Sequence, residues 1–84
     1  MTILVAGAGG FIGGHLVRSL LDDGYSVRAI DIKPVDEWYQ VSDQATNVIG
    51  DCSLLEVART ATAGVEQVYN LAADMGGIGF IENN

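Results

Sequence analysis

The sequence predicts an α/β fold with a parallel sheet of about four strands in the order 3-2-1-4 and flanking helices. Three observations support this class. An apolar run at residues 2–6 stops at a glycine cluster, in which five of the eleven glycines fall between positions 7 and 14. The apolar pattern then changes from short runs to helical stripes and back again. Because helices separate successive strands, the strands are expected to be parallel and joined by right-handed crossovers.

The individual elements follow from the same periodicity. Strands are predicted over residues 2–6, 26–32, 46–50 and 66–73. The first helix is predicted from Phe11 to a stop at Asp22-Asp23-Gly24, with a buried stripe of Ile12, Leu16 and Leu20 flanked by Val17 and Leu21. The second is predicted from Leu54, Leu55, Ala58 and Ala61 and ends at Gly64. Residues 35–44 are predicted as a loop or a short helix.

The glycine cluster lies between the first predicted strand and the first predicted helix. Gly7, Gly10 and Gly13 have the spacing G-x-x-G-x-x-G, whereas G-x-G-x-x-G is excluded because Ile12 stands at its last position. The first glycine allows the positive φ of a tight turn, and the next, without a Cβ, lets a pyrophosphate approach the backbone. The last lets the helix pack closely against the strand. The helix N-terminus then offers free N–H groups to phosphates. We therefore predict a dinucleotide cradle in a Rossmann-type half-domain; the alternative is a flexible loop that binds nothing.

An acidic residue ends the second predicted strand. Asp31 follows Gly13 by 18 residues, close to the spacing expected for a carboxylate that binds an adenosine ribose. Such a carboxylate would repel a 2′-phosphate, which favours NAD over NADP. The basic residues Arg28 and Lys33 lie nearby, so NADP stays an alternative cofactor. The other interpretation of Asp31 is a solvated acidic residue at the end of a strand.

Composition excludes several other classes. The 84 residues carry a net charge of -7 and have a pI of about 4.1, which argues against nucleic acid and anionic membranes as partners. A single cysteine excludes a disulfide scaffold and a Cys-based zinc site, and we expect no metal. No apolar run reaches 18 residues and no charged leader begins the chain, so the expectation is a soluble cytoplasmic protein.

Together these motifs resemble a known family. The glycine spacing, Asp31, the pair Gly50-Asp51 and the run Asn70-Leu71-Ala72-Ala73 are similar to the extended short-chain dehydrogenase/reductase family. That family includes the NAD-dependent nucleotide-sugar epimerases and dehydratases. The resemblance covers the whole chain but only the amino-terminal quarter or so of such an enzyme. Residues 1–84 are therefore expected to be the amino-terminal portion of an NAD(P)-binding Rossmann domain.

The resemblance implies a role for each matching position. Pyrophosphate contacts are implied for Gly7, Gly9, Gly10, Phe11, Ile12 and Gly13, and ribose contacts for Asp31 and Ile32. Contacts with the adenine are implied for Asp51 and Cys52. The path to the nicotinamide ribose is implied to be lined by Leu71, Ala72 and Ala73. Contacts with a nucleotide sugar, the implied substrate, fall on Met75, Gly76 and Gly77.

One family feature is missing from these 84 residues. The family uses a Tyr-x-x-x-Lys pair, in which the lysine lowers the tyrosine pKa. Lys33 is the only lysine, and it has Ala29 four residues before it. The chain is therefore expected to bind cofactor and to have no activity alone, as a truncated piece of an epimerase. The alternatives are a stand-alone dinucleotide-binding module and a half-enzyme completed by another chain.

Other residues of chemical interest have structural interpretations. His15 is predicted to lie on the surface or to serve in packing, and Cys52 is predicted to be buried or to make backbone contacts. Trp38 and Tyr39 either cover the adenine or anchor their loop. We also expect a homo-oligomer formed through the free edge of the fourth strand or the tail at 75–81.

Overall fold

A computed structural model describes residues 1–72 of the chain. It contains four strands: β1 (Thr2–Ala6), β2 (Ser26–Asp31), β3 (Thr46–Ile49) and β4 (Gln67–Asn70). Two α-helices lie between them, α1 (Phe11–Asp22) and α2 (Leu55–Thr62). One turn of 3-10 helix, Val35–Glu37, interrupts the connection from β2 to β3. Among these residues, no helix is long and apolar enough to cross a membrane.

The four strands form one parallel sheet in the order β3-β2-β1-β4, which confirms the predicted topology. β1 is central because it pairs with β2 on one side and with β4 on the other. Parallel pairing brings the carboxyl ends of all four strands to the same edge. The loops after β1, β2, β3 and β4 therefore meet there, where ligands bind in open α/β sheets.

Both faces of the sheet are covered by apolar clusters, as expected for a parallel sheet. On the α1 face, the buried residues are Ile3, Val5, Ala8, Val17, Leu20, Val27, Ala29 and Trp38. On the α2 face, they are Leu4, Ala6, Ile30, Cys52, Ala58 and Ala61. Alternate residues of β1 and β2 point to opposite clusters, because side chains alternate along a strand. These two layers hold the carboxyl edge of the sheet in place.

The predicted buried stripe of α1 is wrong at its first position. Ile12 is 70% exposed, whereas Gly13, Gly14, Val17 and Leu20 face the sheet. The first turn of α1 lies so close to the loop after β1 that a side chain does not fit there. Close packing at that point therefore needs glycine, and Ile12 is rotated to the outside.

The second helix and the edge strands also differ from the prediction. Leu54 and Leu55 are 56% and 65% exposed, so the buried face of α2 consists of Ala58 and Ala61. The strands β3 and β4 are shorter than expected, with four residues each. Both helix stops are confirmed, since Gly24 and Gly64 have φ values of +92° and +74°, in the left-handed region that glycine adopts easily.

Candidate functional site

A cleft of about 380 Å³ opens at the carboxyl edge of the sheet. It is lined by Ala6, Gly7, Gly10, Ile30, Asp31, Ile32, Lys33, Gly50, Asp51, Cys52, Leu71 and Ala72. Each of the four strands contributes the residues at or just after its end. The cleft is therefore a product of the strand order, which brings these four loops together.

The loop between β1 and α1 forms one wall of the cleft and is held by backbone contacts. The N–H groups of Gly7 and Ala8 both donate to the carbonyl of Ile30, at 2.9 and 3.1 Å. Gly7 has a φ of +86°, and a Cβ on it would lie 2.8 Å from Ala72 N. The fold itself therefore requires glycine at position 7, as the turn argument predicted.

Gly13 and Gly10 serve different purposes in the same motif. A Cβ on Gly13 would collide with the Gly7 carbonyl and lie 2.9 Å from Ala8 Cα, so this glycine permits helix–strand packing. Among residues 1–72, the nearest atom to a Cβ on Gly10 would be Gly7 O, at an ordinary 3.6 Å. No packing contact in this part of the chain therefore demands glycine at position 10, which borders the cleft at the N-terminus of α1.

Asp31 projects into the cleft from the end of β2. Its Oδ2 accepts a hydrogen bond from Gly9 N–H at 2.8 Å, and its Oδ1 accepts one from Lys33 N–H at 3.0 Å. A carboxylate has about four lone-pair positions, so about two remain for a ligand. Asp31 is thus fixed in place by backbone groups while it keeps the capacity to accept ligand hydroxyls.

The two basic residues near Asp31 have separate positions. Lys33 lines the cleft. The guanidinium of Arg28 lies at the C-terminus of α2, where Nη1 donates to the carbonyls of Ala61 and Ala63 at 2.6 and 2.9 Å. A cation there favours the negative end of the helix dipole. Arg28 is therefore engaged in capping, whereas Lys33 lines the cleft and its backbone N–H contacts the Asp31 carboxylate.

The two aromatic residues of the β2–β3 connection differ in burial and therefore in role. Trp38 is buried in the α1-face cluster, which makes it an anchor and excludes it as an adenine cover. Tyr39 is 58% exposed and contacts Phe11 edge-on, with ring centroids 4.7 Å apart. His15 lies beside Phe11 on the exposed face of α1, as predicted.

The loop after β3 forms the opposite wall of the cleft. Asp51 Oδ1 accepts hydrogen bonds from the hydroxyl and the N–H of Ser53 at 2.6 and 2.9 Å, which lower the pKa of that carboxyl. Cys52 is buried, as predicted. Burial raises the pKa of its thiol, and the Asp51 carboxylate raises it further, so the thiol stays protonated at neutral pH.

Twelve of the thirteen predicted cofactor positions lie within the described residues. Eight of them line the cleft directly, namely Gly7, Gly10, Asp31, Ile32, Asp51, Cys52, Leu71 and Ala72. Gly9 and Gly13 are buried behind them. The side chains of Phe11 and Ile12 are exposed at the start of α1 and do not line the cleft. Ala73, Met75, Gly76 and Gly77 lie outside the described residues.

Sequence reasoning did not single out two further lining residues, Ala6 and Ile30. Both lie at the carboxyl ends of the central strands, next to the glycine motif and Asp31. That position was the available signal, because ligands bind beyond the carboxyl ends of such strands.

Comparisons with known proteins agree with this geometry. Residues 3–83 match the NAD dependent epimerase/dehydratase family. GDP-mannose 3,5-epimerase 1 of Oryza sativa subsp. japonica is 38% identical over 84 residues, all of this chain and 22% of the rice enzyme. The 3-beta-hydroxysteroid dehydrogenase of Mycolicibacterium neoaurum is 37% identical over 71 residues, 84% of this chain and 19% of that enzyme. The chain thus spans about a fifth of the length of these relatives.

Solved structures show the same architecture. A UDP-glucose 4-epimerase from Thermotoga maritima, crystallised with UDP-glucose, has a TM-score of 0.76 and 30% identity over 88% of this chain and 25% of that one. A short-chain dehydrogenase/reductase superfamily protein from Agrobacterium tumefaciens with bound NAD has a TM-score of 0.72 and 26% identity, over 99% of this chain and 24% of that one.

Proposed function

Since this chain belongs to the NAD dependent epimerase/dehydratase family, we propose that it is the NAD-binding part of a nucleotide-sugar epimerase similar to GDP-mannose 3,5-epimerase. The observation that carries the proposal is Asp31, which presents a carboxylate with free acceptor capacity in a cleft bordered by a helix N-terminus. The structural relative from Agrobacterium tumefaciens with bound NAD supports the choice of cofactor.

The residues of the cleft fit NAD. Gly10 borders it, and no described neighbour of Gly10 requires glycine there for packing, which suits the close approach of a pyrophosphate to the backbone. The first turn of α1, Phe11 to Gly14, contains no acidic residue, and no side chain within residues 1–72 caps it. Gly14 N–H donates to the Gly10 carbonyl at 2.9 Å, and the N–H groups before it in this turn would bind the phosphates.

The remaining cleft residues would bind the two ends of the cofactor. Asp31 and Ile32 would hold the adenosine ribose, Asp51 would accept from the adenine amino group, and Cys52 would contact the ring edge. Leu71 and Ala72, with Ala73, would line the path to the nicotinamide ribose. When bound, NAD would supply a reversible hydride acceptor for the sugar.

The proposal of a nucleotide sugar as substrate draws on the carboxyl-terminal part of the chain. The rice epimerase and the mycobacterial steroid dehydrogenase are almost equally identical to this chain, so the cofactor-binding portion alone does not distinguish their substrates. The match to the rice enzyme extends over all 84 residues, including the run 70–81. We propose that Met75, Gly76 and Gly77 contact a GDP-mannose-like substrate.

Calorimetry with NAD and NADP tests the cofactor assignment. We expect saturable NAD binding and weaker NADP binding, because the Asp31 carboxylate repels a 2′-phosphate. In Asp31→Asn, NAD affinity should fall by about tenfold to a hundredfold, since a hydrogen bond to a charged group contributes roughly 1.5–3 kcal/mol. Absence of saturable NAD binding would refute the proposal, and equal affinity for NADP would refute the role of Asp31.

Two alternatives follow from the missing Tyr-x-x-x-Lys pair. A stand-alone binding module would bind NAD and never reduce it, whereas a half-enzyme would gain activity with a second chain. Incubation with NAD and GDP-mannose, with and without cell extract depleted of this protein, measures NADH and epimerised product. Product with the chain alone would contradict our proposal that the chemistry lies outside these residues.

We further propose that the 84-residue chain self-associates through β4. Within residues 1–72 this strand pairs on one side only, with β1, and an open strand edge can pair with another chain. Sedimentation should show a concentration-dependent dimer or larger species. This species should persist in the control Leu55→Ser, since Leu55 is exposed at the start of α2 and is not part of the β4 edge. A monomer at every concentration would contradict this proposal.

A further inference from the structure

Five residues form a closed circuit of hydrogen bonds behind the cleft. Trp38 Nε1 donates to the carbonyl of Lys33 at 2.8 Å, and Lys33 N–H donates to Asp31 Oδ1 at 3.0 Å. Gly9 N–H donates to Asp31 Oδ2 at 2.8 Å, and Tyr39 N–H donates to the Gly9 carbonyl at 2.9 Å. Because Tyr39 follows Trp38 in the chain, the circuit closes. Both carboxylate oxygens of Asp31 are held by it.

Trp38 ties this circuit to the hydrophobic core. It is only 7% exposed and packs in the α1-face cluster with Ile3, Val5 and Leu20. The rest of the circuit consists of backbone groups and the Asp31 carboxylate. Trp38 is therefore the only member whose own side chain is anchored by burial, which lets it fix the others.

Gly9 shows how closely these groups are packed. A Cβ on Gly9 would lie 2.8 Å from Trp38 Cδ1 and 2.9 Å from Asp31 Oδ2. Real Cβ atoms do not approach other heavy atoms so closely. The indole therefore lies directly against the Gly9 backbone, on the side of Gly9 that faces the Asp31 carboxylate.

We propose that Trp38 is a positioning residue for the adenosine-ribose site and sets its selectivity for the 2′-hydroxyl. The buried indole holds Lys33 and Gly9, and these two backbone N–H groups orient the Asp31 carboxylate so that its remaining lone pairs face the cleft. This inference rests on the proposed NAD-binding function. It goes beyond it because Trp38 does not line the cleft and would touch no part of the cofactor.

The test compares two ligands that differ by one oxygen, ADP and 2′-deoxy-ADP, by calorimetry on the 84-residue chain. The wild type should prefer ADP, and Asp31→Asn should lose this preference. Trp38→Phe keeps an aromatic ring but lacks the indole N–H. We expect its preference for ADP to fall about fivefold, the value of one ordinary hydrogen bond, with little change for 2′-deoxy-ADP.

A matched control separates positioning from loss of stability. Leu20→Ala removes side-chain volume from the same cluster, where Leu20 is also 7% exposed, and it should leave the ratio of the two affinities unchanged. An unchanged ratio in Trp38→Phe, or an equal loss for both nucleotides, would overturn the inference. Because Trp38 is the only tryptophan, biosynthetic replacement by benzothienylalanine, in which sulfur takes the place of the N–H, repeats the test with the core shape preserved.

Amide hydrogen exchange provides a readout that needs no ligand. Removal of the indole N–H should speed exchange at Gly9 while amides in β1 stay protected. Unchanged exchange at Gly9 would overturn the inference even if the nucleotides bind. If the wild type binds neither nucleotide while Gly9 responds as expected, the proposed function fails and the positioning of Asp31 by Trp38 stands.

Discussion

The two sides of the cleft are built in different ways. The β2 side is formed by residues 7–10 and 31–33. There the Asp31 carboxylate accepts a hydrogen bond from Gly9, 22 positions earlier in the chain, and the buried Trp38 lies behind both residues. On the β3 side, formed by residues 50–52, Asp51 is partly exposed and accepts its hydrogen bonds from Ser53, only two positions away. One side depends on long-range packing and the other on a local turn.

This difference indicates where the site tolerates change. Groups held by contacts across the fold cannot move without disturbing the core, which keeps them in one geometry. Local hydrogen bonds in a solvated turn contribute little to the free energy of unfolding. Substitutions on the β2 side should therefore have larger effects than those on the β3 side.

The largest expected effect is that of Gly13→Ala. Its Cβ would collide with the Gly7 carbonyl and crowd Ala8 Cα at 2.9 Å, and backbone atoms cannot give way cheaply. We expect a loss of about 1–3 kcal/mol in the free energy of unfolding, as for overpacked sites, and thermal unfolding monitored by circular dichroism measures it. In the control Gly14→Ala the nearest described atoms to the new Cβ belong to the flexible side chain of Gln40, so a smaller loss is expected. Equal stability of Gly13→Ala and wild type would contradict the packing argument.

Gly10→Ala should separate binding from folding on the same loop. Within the part of the chain that the structure describes, its Cβ meets nothing closer than 3.6 Å, and its φ of -83° suits alanine. The free energy of unfolding should therefore change by about 0.5 kcal/mol or less. NAD affinity should fall about tenfold, a cost of roughly 1.4 kcal/mol, because the methyl group blocks the approach of the pyrophosphate. Titration calorimetry on the folded variant measures its affinity for NAD. An unchanged affinity would show that Gly10 does not contact the pyrophosphate.

Arg28→Ala tests the cap at the C-terminus of α2, the helix that follows the β3 side in the chain. Removing the guanidinium leaves the carbonyls of Ala61 and Ala63 without their cap. We expect a loss of about 1–2 kcal/mol, measured as a lower urea midpoint, since hydrogen bonds from a charged group are involved. The ratio of NAD to NADP affinity should stay the same, because Arg28 does not line the cleft. A shift of that ratio would show that Arg28 acts on the cofactor after all.

The smallest effect is expected for Ser53→Ala. Loss of the Ser53 hydroxyl should move the pKa of Asp51 back up toward its ordinary value, which carboxyl NMR titration measures. A lowered folded pKa contributes stability above the unfolded pKa, and this contribution disappears as the pH falls through the folded value. Variant and wild type should therefore differ slightly at neutral pH and converge in acid. A pKa that stays as low as in the wild type would assign the shift to the Ser53 backbone N–H alone.

The sequence predicted most of the fold because its signals are local. Three buried apolar residues followed by glycine predict β1, and Gly24 and Gly64 predict the helix stops by their conformational freedom. Periodicity failed at Ile12, Leu54 and Leu55, since a stripe of apolar residues does not reveal how near the neighbouring strand lies. The strands β3 and β4 were predicted too long, because strand ends depend on how far their partners extend.

By itself the sequence determined the strand order, the place of the cleft and the presence of Gly7, Gly10, Gly13 and Asp31 around it. These follow from apolar periodicity and glycine spacing, both of which are properties of neighbouring residues. Only the tertiary structure decided that Arg28 caps α2 and that Trp38 supports Asp31 from behind. Such roles depend on distances between segments far apart in the chain, and those distances are set by packing that no local pattern encodes.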